Sequence, residues 1–136
     1  MKTLLYQLNF CDNGLSYENH KEEFCIGIFS SFDKAKEIAE YYLNNINGFE
    51  DYDCSYNIVE KKILGKKNCN EVYIIYGWNE NLYRDEIEII ESECFMEKDA
   101  AEQNMIKLQQ IYNRANWCID RYVIDRCLWK DGFARV

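Results

Sequence analysis

Two stretches decide the fold: LLYQLNF at residues 4–10 and VYIIYGW at residues 72–78. Each is rich in aliphatic and aromatic residues and is followed by a short polar stretch, CDNG after the first and NEN after the second. This composition is typical of a strand that ends in a turn. The stretches lie 68 positions apart, which is half of the 136 residues. We therefore predict first strands at residues 3–10 and 71–78, one in each of two repeats.

The correspondence between the two halves continues along the chain at an offset of 66. Self-similarity at a fixed period is the signature of an internal repeat. The change of offset indicates that the second copy has lost about two residues in a loop. The matching pairs are Phe29 with Phe95, Asp33 with Asp99, Ala35 with Ala101, Tyr56 with Tyr122 and Ile58 with Ile124. They predict a tandem duplication, with a first repeat at residues 1–66 and a second at residues 67–136.

Each repeat is predicted to continue with a second strand, a helix and a closing strand. We place the second strands at Glu23–Phe29 and Glu86–Phe95 and the closing strands at Ser55–Leu64 and Cys118–Trp129. The short polar connection between the first two strands favours an antiparallel hairpin. The predicted unit is therefore ββαβ, present twice.

The two helices are predicted from apolar residues that recur every three or four positions. Ser30, three residues before Asp33, is predicted to cap the first helix, because its hydroxyl can accept a hydrogen bond from a free amide. The apolar stripes are Phe32, Ala35, Ala39, Tyr42 and Ile46 in the first repeat and Ala101, Met105, Leu108 and Tyr112 in the second.

A single ββαβ unit buries only a thin core, because it has one helix and one sheet face. We therefore expect the two repeats to share a core in one compact, pseudo-symmetric α+β domain with an antiparallel sheet and two helices. The connector at residues 65–70 is short and polar, and we expect it to mark the seam between the repeats.

Composition and charge exclude several classes of protein. The chain is 48% hydrophobic with a formal charge of −8, which is typical of a globular domain and not of a disordered segment. A run of about 18 apolar residues and a secretory signal are both missing from the sequence, which predicts a soluble, cytoplasmic protein. The excess of carboxylates argues against direct binding to nucleic acid or membrane lipid, since both need a basic surface. A charged partner should therefore be basic.

The seven cysteines indicate neither a disulfide framework nor a metal site. Their number is odd, and neighbouring cysteines lie nine or more positions apart, so no CxxC pair exists to hold zinc. They stand at positions 11, 25, 54, 69, 94, 118 and 127. We predict reduced, mostly buried thiols, no metal and no cofactor.

Residues suited to catalysis are few. His20 is the only histidine, and Cys25 is the only nucleophile near it in sequence. Nothing indicates the third group or the oxyanion donors that a Cys–His pair would need. The six glycines are scattered singly, which excludes a phosphate-binding loop, and acidic pairs such as Asp51 with Asp53 lack a recognisable cation loop. We predict that the protein is not an enzyme.

Charge is concentrated between residues 80 and 102, which contain nine carboxylates and two basic residues. We expect a bulge near Ile89 and Ile90, which would place four glutamates on one outer face of the second hairpin. Two more carboxylates would stand at the start of the second helix, where the helix dipole favours negative charge. The predicted partner-binding set is Glu86, Glu88, Glu91, Glu93, Glu97 and Asp99. The alternative is that these charges keep an exposed strand soluble and discourage edge-to-edge pairing.

Large aromatic residues at predicted turns and element ends form a second candidate site. Together with arginines they could stack on the base of a nucleotide or on another planar anion. The candidate set is Trp78, Trp117, Trp129, Phe133, Arg121 and Arg126. The alternative is that the segment from Trp129 to the last residue folds back over the sheet as a lid.

The segment Ile26-Gly27-Ile28-Phe29-Ser30-Ser31, followed by a helix that contains alanine, resembles a pattern of small uncharacterised bacterial and phage α+β domains with a ββαβ core. The closing strand that leads into Trp129, Gly132 and Phe133 is similar to the same pattern. The resemblance implies the fold and carries no site residues.

Two functions follow as hypotheses. The first is a non-catalytic inhibitor or immunity-type protein of a bacterial or phage conflict system, which docks its acidic face on a basic protein such as a nucleic-acid-binding enzyme. The second is a protein that binds or sequesters a nucleotide-like small molecule in an aromatic-lined pocket. A homodimer through a free sheet edge is compatible with both.

Overall fold

A computed structural model describes residues 4–13, 22–65, 70–81 and 86–133. This part of the chain has an α+β fold with two helices and a seven-stranded sheet, which confirms the predicted α+β class and the two helices. The sheet was predicted to be antiparallel, but one of its strand pairs is parallel. The elements in chain order are β1 (Leu4–Asp12), β2 (Glu22–Phe29), α1 (Phe32–Asn45), β3 (Cys54–Leu64), β4 (Glu71–Asn81), β5 (Glu86–Glu91), β6 (Cys94–Phe95), α2 (Lys98–Ile111) and β7 (Asn116–Val123).

The chain divides into two compact units. The first unit contains residues 1–61 and 124–136, and the second contains residues 62–123. The second unit is thus continuous in sequence, whereas the first is completed by a segment that the chain reaches only after passing through the second.

The first unit is built on an antiparallel pair of strands. β1 pairs with β2 from Tyr6 opposite Phe29 to Asp12 opposite Glu22, with a register shift between Leu8 and Asn9, and β1 also neighbours β3. This confirms the predicted first hairpin. Phe24, Ile26 and Ile28 of β2 are buried, as strand alternation requires of residues on one face.

Helix α1 covers the core of the first unit with the predicted stripe, but the ends of the stripe are not buried. Ala35, Ala39 and Tyr42 are buried, at spacings of four and three residues. Phe32 is 49% exposed and packs edge-on against Tyr6 at a ring distance of 6.1 Å. The core cluster contains Leu8, Phe10, Phe24, Ile26, Phe29, Ala35, Ala39, Tyr42 and Phe49.

The predicted cap of α1 is wrong by one residue. Ser31, not Ser30, is the N-cap, and its Oγ accepts a hydrogen bond of 3.2 Å from the Lys34 amide. Ser30 instead donates its amide and its hydroxyl to the carboxylate of Asp125, which is 95 positions further along the chain. A long-range partner of this kind leaves no local sequence signal.

Residues 124–133, which we call the C-terminal segment, belong to the first unit. The prediction that the closing strand of the second repeat reaches Trp129 is wrong, because β7 ends at Val123. From Ile124 the segment follows an irregular path with positive φ angles at Asp125 (67°), Trp129 (58°) and Gly132 (78°). It packs Phe133 against the core cluster.

The second unit is centred on β4. This strand pairs antiparallel with β5, β6 and β7, and its register with β7 runs from Glu71 opposite Val123 to Trp78 opposite Asn116. The end of β3 joins the unit through a parallel pairing of Ile63 with Cys94. The predicted second hairpin, between β4 and β5, is confirmed.

The predicted strand Glu86–Phe95 is interrupted, because Ser92 and Glu93 leave the strand between β5 and β6. The Ser92 hydroxyl accepts a hydrogen bond of 2.8 Å from the Ile75 amide and donates one of 2.8 Å to the Glu93 carbonyl. This side chain therefore replaces a backbone partner of β4 at the break. Strand propensity alone does not reveal such a substitution.

Helix α2 is covered less completely than α1. Ala101 is its buried residue, Met105 and Leu108 are half-buried, and Tyr112 follows the helix as its C-cap with 46% exposure. The small core cluster of the second unit consists of Ile75, Phe95 and Ala101. The second predicted stripe thus packs against this cluster through Ala101, Met105 and Leu108, while Tyr112 at its end is exposed.

Candidate functional site

The predicted partner-binding residues all lie in the second unit, on β5, on the break after it and at the start of α2. Glu86 and Glu88 are positions of β5, and Glu91, its last residue, is exposed. Glu97 and Asp99 are exposed as well. We call Glu91, Glu97 and Asp99 the acidic surface.

The bulge expected at Ile89 and Ile90 is wrong. The register between β4 and β5 is continuous, from Asn81 opposite Glu86 to Tyr76 opposite Glu91. Successive residues of an unbroken strand alternate between the faces of the sheet, so position 91 does not share a face with positions 86 and 88. Ile89, which the bulge would have shielded, is 69% exposed.

Glu93 has a structural role, because its Oε2 accepts a hydrogen bond from the Lys62 amide within the second unit. The side chain is half-buried, in contrast to the exposed Glu91, Glu97 and Asp99. Neutralising Glu93 would therefore alter this hydrogen bond as well as the surface charge.

The start of α2 carries two carboxylates that the local structure favours. Glu97 is the N-cap and makes no side-chain capping bond, and Asp99 lies in the first turn. Both are placed where the positive end of the helix dipole stabilises negative charge. Lys98, the first residue of α2, forms a solvent-exposed pair with Glu102 one turn later, with Nζ 3.9 Å from Oε1. Such a pair adds little stability, and the surface keeps an excess of negative charge.

The predicted stacking residues are distributed over both units. Trp78, Trp117 and Arg121 belong to the second unit, whereas Arg126 and the two rings of the C-terminal segment, Trp129 and Phe133, belong to the first. Neither unit by itself contains the whole set.

Within the second unit, Trp117 is part of the sheet packing. Its ring lies so close to Gly77 that a Cβ at that position would stand 2.4 Å from Cζ3, and it contacts Tyr112 at a ring distance of 6.0 Å. Its Nε1 is buried, and among the described residues it finds no hydrogen-bond partner. A buried indole N–H without a partner has an energetic cost.

Within the first unit, Trp129 and Phe133 pack against the core. Phe133 stacks on Phe24 at a ring distance of 4.5 Å and meets Phe49 edge-on at 4.9 Å. Trp129 meets Phe24 edge-on at 4.7 Å and is 45% exposed. These contacts agree with the alternative interpretation in which the segment folds back over the sheet.

The second unit has an open groove of about 730 Å³ between α2 and the strands β4 and β7. Tyr73, Met105, Ile106 and Ile119 form its apolar wall. Lys98, Glu102 and Arg121 supply the charges, and Arg121 also donates to Glu71 Oε1 at 2.7 Å. Of the predicted stacking set, Arg121 lines this groove.

A groove of about 430 Å³ in the first unit was not predicted from the sequence. It lies between α1 and the C-terminal segment, and Tyr41, Tyr42, Cys127 and Lys130 are among its lining residues. Burial, with Cys127 as a second cause, raises the pKa of Tyr42 well above its usual range. The Tyr42 hydroxyl therefore stays protonated and donates to the Leu128 carbonyl at 2.6 Å. The adjacent tyrosines were the available signal, but the sequence did not show that the segment returns to α1.

The described thiols have no feature of a reactive site. Six cysteines are described, of which Cys94 is buried and the others are half-buried, so "mostly buried" was too strong an expectation. Burial and then the neighbouring Asp120 raise the pKa of Cys118, which keeps this thiol protonated at neutral pH. Cys69 and His20 lie outside the described residues.

The described residues contain neither a cluster of metal ligands nor a helix suited to a membrane. Within residues 4–13, 22–65, 70–81 and 86–133, no three His, Cys, Asp or Glu side chains come together as a possible metal site. Asp51 Oδ2 accepts a hydrogen bond of 3.2 Å from the Gly48 amide, so this member of the acidic pair closes a turn. Neither described helix has the length and apolar character to cross a bilayer.

Comparisons with known proteins add no assignment. No family model matches the chain, and the searches of curated proteins and of solved structures found no match either. The resemblance to small bacterial and phage α+β domains therefore stays a prediction.

Proposed function

We propose that the protein is a non-catalytic binding protein that docks the acidic surface of its second unit on a basic partner protein. The observation that supports this is the negative charge between residues 80 and 102, a stretch that contains nine carboxylates and two basic residues. Glu91, Glu97 and Asp99 of this window are exposed. An excess of like charge in one part of the chain repels itself and lowers stability, which favours a use for these carboxylates.

The proposed class is an inhibitor or immunity-type protein of a bacterial or phage conflict system. A basic nucleic-acid groove of an enzyme is the partner chemistry that an acidic surface fits best, since the carboxylates would take the places of phosphates. The cytoplasm is the compartment in which such a partner and seven reduced thiols would coexist.

The test is an affinity pull-down from lysate of the source organism at low and moderate salt. The full chain is compared with the variant E91Q/E97Q/D99N, which neutralises the acidic surface and leaves Glu93 in place. The matched control E40Q/E50Q/E60Q removes the same number of exposed carboxylates from the first unit. We expect a basic protein that the wild type and the control capture, that the acidic variant loses and that moderate salt releases. Equal capture by all three chains would contradict the proposal.

Glu86 and Glu88 need a separate variant, because the continuous register places them on the face opposite Glu91. Loss of capture by E86Q/E88Q, with capture retained by E91Q/E97Q/D99N, would contradict docking through the acidic surface and would show that the partner uses the other face of β5. The two variants therefore identify the docking face as well as testing the proposal.

The groove of the second unit favours a second candidate function, the binding of a nucleotide-like small molecule. Tyr73 and Arg121 offer a ring and a planar cation in the same groove of about 730 Å³. A ligand that binds the folded state raises the melting temperature by mass action, whereas docking on a protein does not respond to nucleotides. If this function is present, a nucleotide in a thermal-shift screen should raise the melting temperature of the wild type and of the control Arg114→Ala. It should not raise the melting temperature of Arg121→Ala.

We also propose that the two units descend from one ββαβ repeat. The first unit has the order β1, β2, α1 and β3, and the second has β4, β5, α2 and β7, with β6 as an additional short strand. In each unit the first strand pairs with the second. β1 lies between β2 and β3, and β4 pairs with both β5 and β7. Superposition of the units in an experimental structure should match these elements with the same handedness, and opposite handedness would contradict common descent.

A further inference from the structure

We propose that the first unit carries a peptide-binding site, occupied here by the chain's own C-terminal segment, and that this site accepts the C-terminal segment of a second copy. The site is independent of the acidic surface, whose residues all belong to the second unit. We call the side that residues 24–52 present to the segment the receptor surface.

Backbone hydrogen bonds hold the segment along the edge of the sheet. β2 is the outermost strand of the sheet order, so the edge away from β1 is open to another chain segment. The Asp125 amide donates to the Ile28 carbonyl at 2.8 Å, and the Leu128 amide donates to the Ile26 carbonyl at 2.7 Å. The segment is not an added strand, but both bonds use backbone groups alone, so this part of the contact depends little on the side chains of the segment.

Side chains at the two ends of the segment supply selectivity. At one end, the Asp125 carboxylate accepts hydrogen bonds from Ser30 and lies 3.5 Å from Lys34 Nζ. At the other end, eight residues on, Phe133 fits between Phe24 and Phe49. A peptide must therefore carry both an acidic residue and an aromatic residue at this spacing.

Gly27 gives the receptor surface the space that a peptide backbone needs. Its backbone has no positive φ angle, so its conformation does not require glycine. A Cβ at this position would stand 2.5 Å from the carbonyl oxygen of Arg126. The missing side chain is therefore explained by the close passage of the C-terminal segment.

The contacts do not depend on which chain provides the segment. Within the described residues, the segment forms no strand or helix of its own, and its path includes the left-handed residues Asp125 and Trp129. The receptor surface thus holds it in a conformation that non-glycine residues adopt rarely. All of unit two separates it in sequence from the surface it binds. A second copy's segment can make the same contacts, but it competes with the chain's own tethered segment.

Two full-length variants test the exchange with that competition weakened. Phe133→Ala weakens the segment and leaves the receptor surface intact, whereas Gly27→Val obstructs the receptor surface and leaves the segment intact. Each variant alone should be monomeric by light scattering after gel filtration. An equimolar mixture should form a 1:1 complex, because the intact segment of one chain docks on the intact receptor surface of the other. A mixture that stays monomeric, with both chains folded by circular dichroism, would overturn the proposal.

A direct titration covers the case in which one of these variants does not fold. A fluorescent peptide of residues 124–133 is added to the full-length Asp125→Asn variant, whose change lies at the partly exposed end of the segment. We expect saturable binding by anisotropy, and a peptide with both Asp125 and Phe133 replaced by alanine should bind about tenfold more weakly or worse. Absence of binding at peptide concentrations up to about 1 mM, where the tethered segment competes, would overturn the proposal.

Discussion

Ser30 donates both its amide and its hydroxyl to the carboxylate of Asp125, which links the turn before α1 to the first residues of the C-terminal segment. The Ser30 amide donates to Oδ1 at 2.8 Å, and the Ser30 hydroxyl donates to Oδ2 at 2.9 Å. Lys34 Nζ lies 3.5 Å from the same carboxylate. These three donors all stabilise the ionised form of Asp125, which makes the docking of the segment sensitive to acid.

Acid should weaken this docking. Partial burial acts to raise the pKa of Asp125, but the donors Ser30 and Lys34 outweigh it and hold the pKa below the ordinary value of 3.8. A carboxyl whose pKa is lower in the folded state stabilises the fold above the unfolded pKa and loses that contribution as the pH falls through the folded pKa. We therefore expect the stability difference between wild type and Asp125→Asn, measured by urea unfolding, to be constant above about pH 5 and to shrink below about pH 4.

Ser31→Ala should destabilise the protein by about 1 kcal/mol, because it leaves the Lys34 amide at the start of α1 without its capping oxygen. Ser30→Ala is the matched control, since it removes the hydroxyl bond to Asp125 instead and keeps the amide bond. Urea unfolding should show a loss for both variants, but only Ser30→Ala should reduce the acid dependence described for Asp125. An equal change of acid dependence in both variants would contradict the assigned cap.

Phe49→Ala should cost about 3–5 kcal/mol, as expected for a large ring removed from a packed core. Phe49 is 1% exposed, and its ring lies 4.9 Å from Phe10 and 4.9 Å from Phe133. Phe32→Ala provides the comparison. Phe32 is 49% exposed, so its replacement should lower the stability much less. Chemical denaturation measures both, and similar losses would show that the core is not centred on Phe49.

Gly77→Ala should destabilise the second unit by about 1–3 kcal/mol, the usual cost of overpacking. The new methyl group would meet the Trp117 ring, which must move. Trp117→Leu is expected to relieve the clash, so the double variant Gly77→Ala/Trp117→Leu should be more stable than the sum of the single losses predicts. Additive losses would show that Trp117 does not limit the space at Gly77.

The elements with local signals were predictable. Hydrophobic stretches located both hairpins, and the spacing of Ala35, Ala39 and Tyr42 located α1. These patterns depend on contacts that recur at fixed intervals along the chain, which a sequence displays directly. The fold class follows from their order.

The errors arose where a distant residue decides the local structure. Ser30 donates to the Asp125 carboxylate, Ser92 accepts from the Ile75 amide, and Glu93 accepts from the Lys62 amide. Each of these hydrogen bonds joins residues that are far apart in sequence, so the neighbours in sequence do not indicate it. The prediction that four glutamates share one face depended on a bulge, and the register of β5 against β4 excludes that bulge. Composition could show that the window 80–102 is acidic, but only strand pairing shows which carboxylates share a face.

Because the C-terminal segment completes a unit that otherwise ends at residue 61, the two units cannot mature in the order in which they are synthesised. The second unit is complete once residue 123 has left the ribosome, while the place of Phe133 beside Phe24 and Phe49 is still unfilled. At about 5–20 residues per second, the first 61 residues wait roughly 4–14 s for their last part. During that interval the nascent chain displays an aromatic cleft that a chaperone, or the finished segment of a neighbouring chain on the same messenger, can enter.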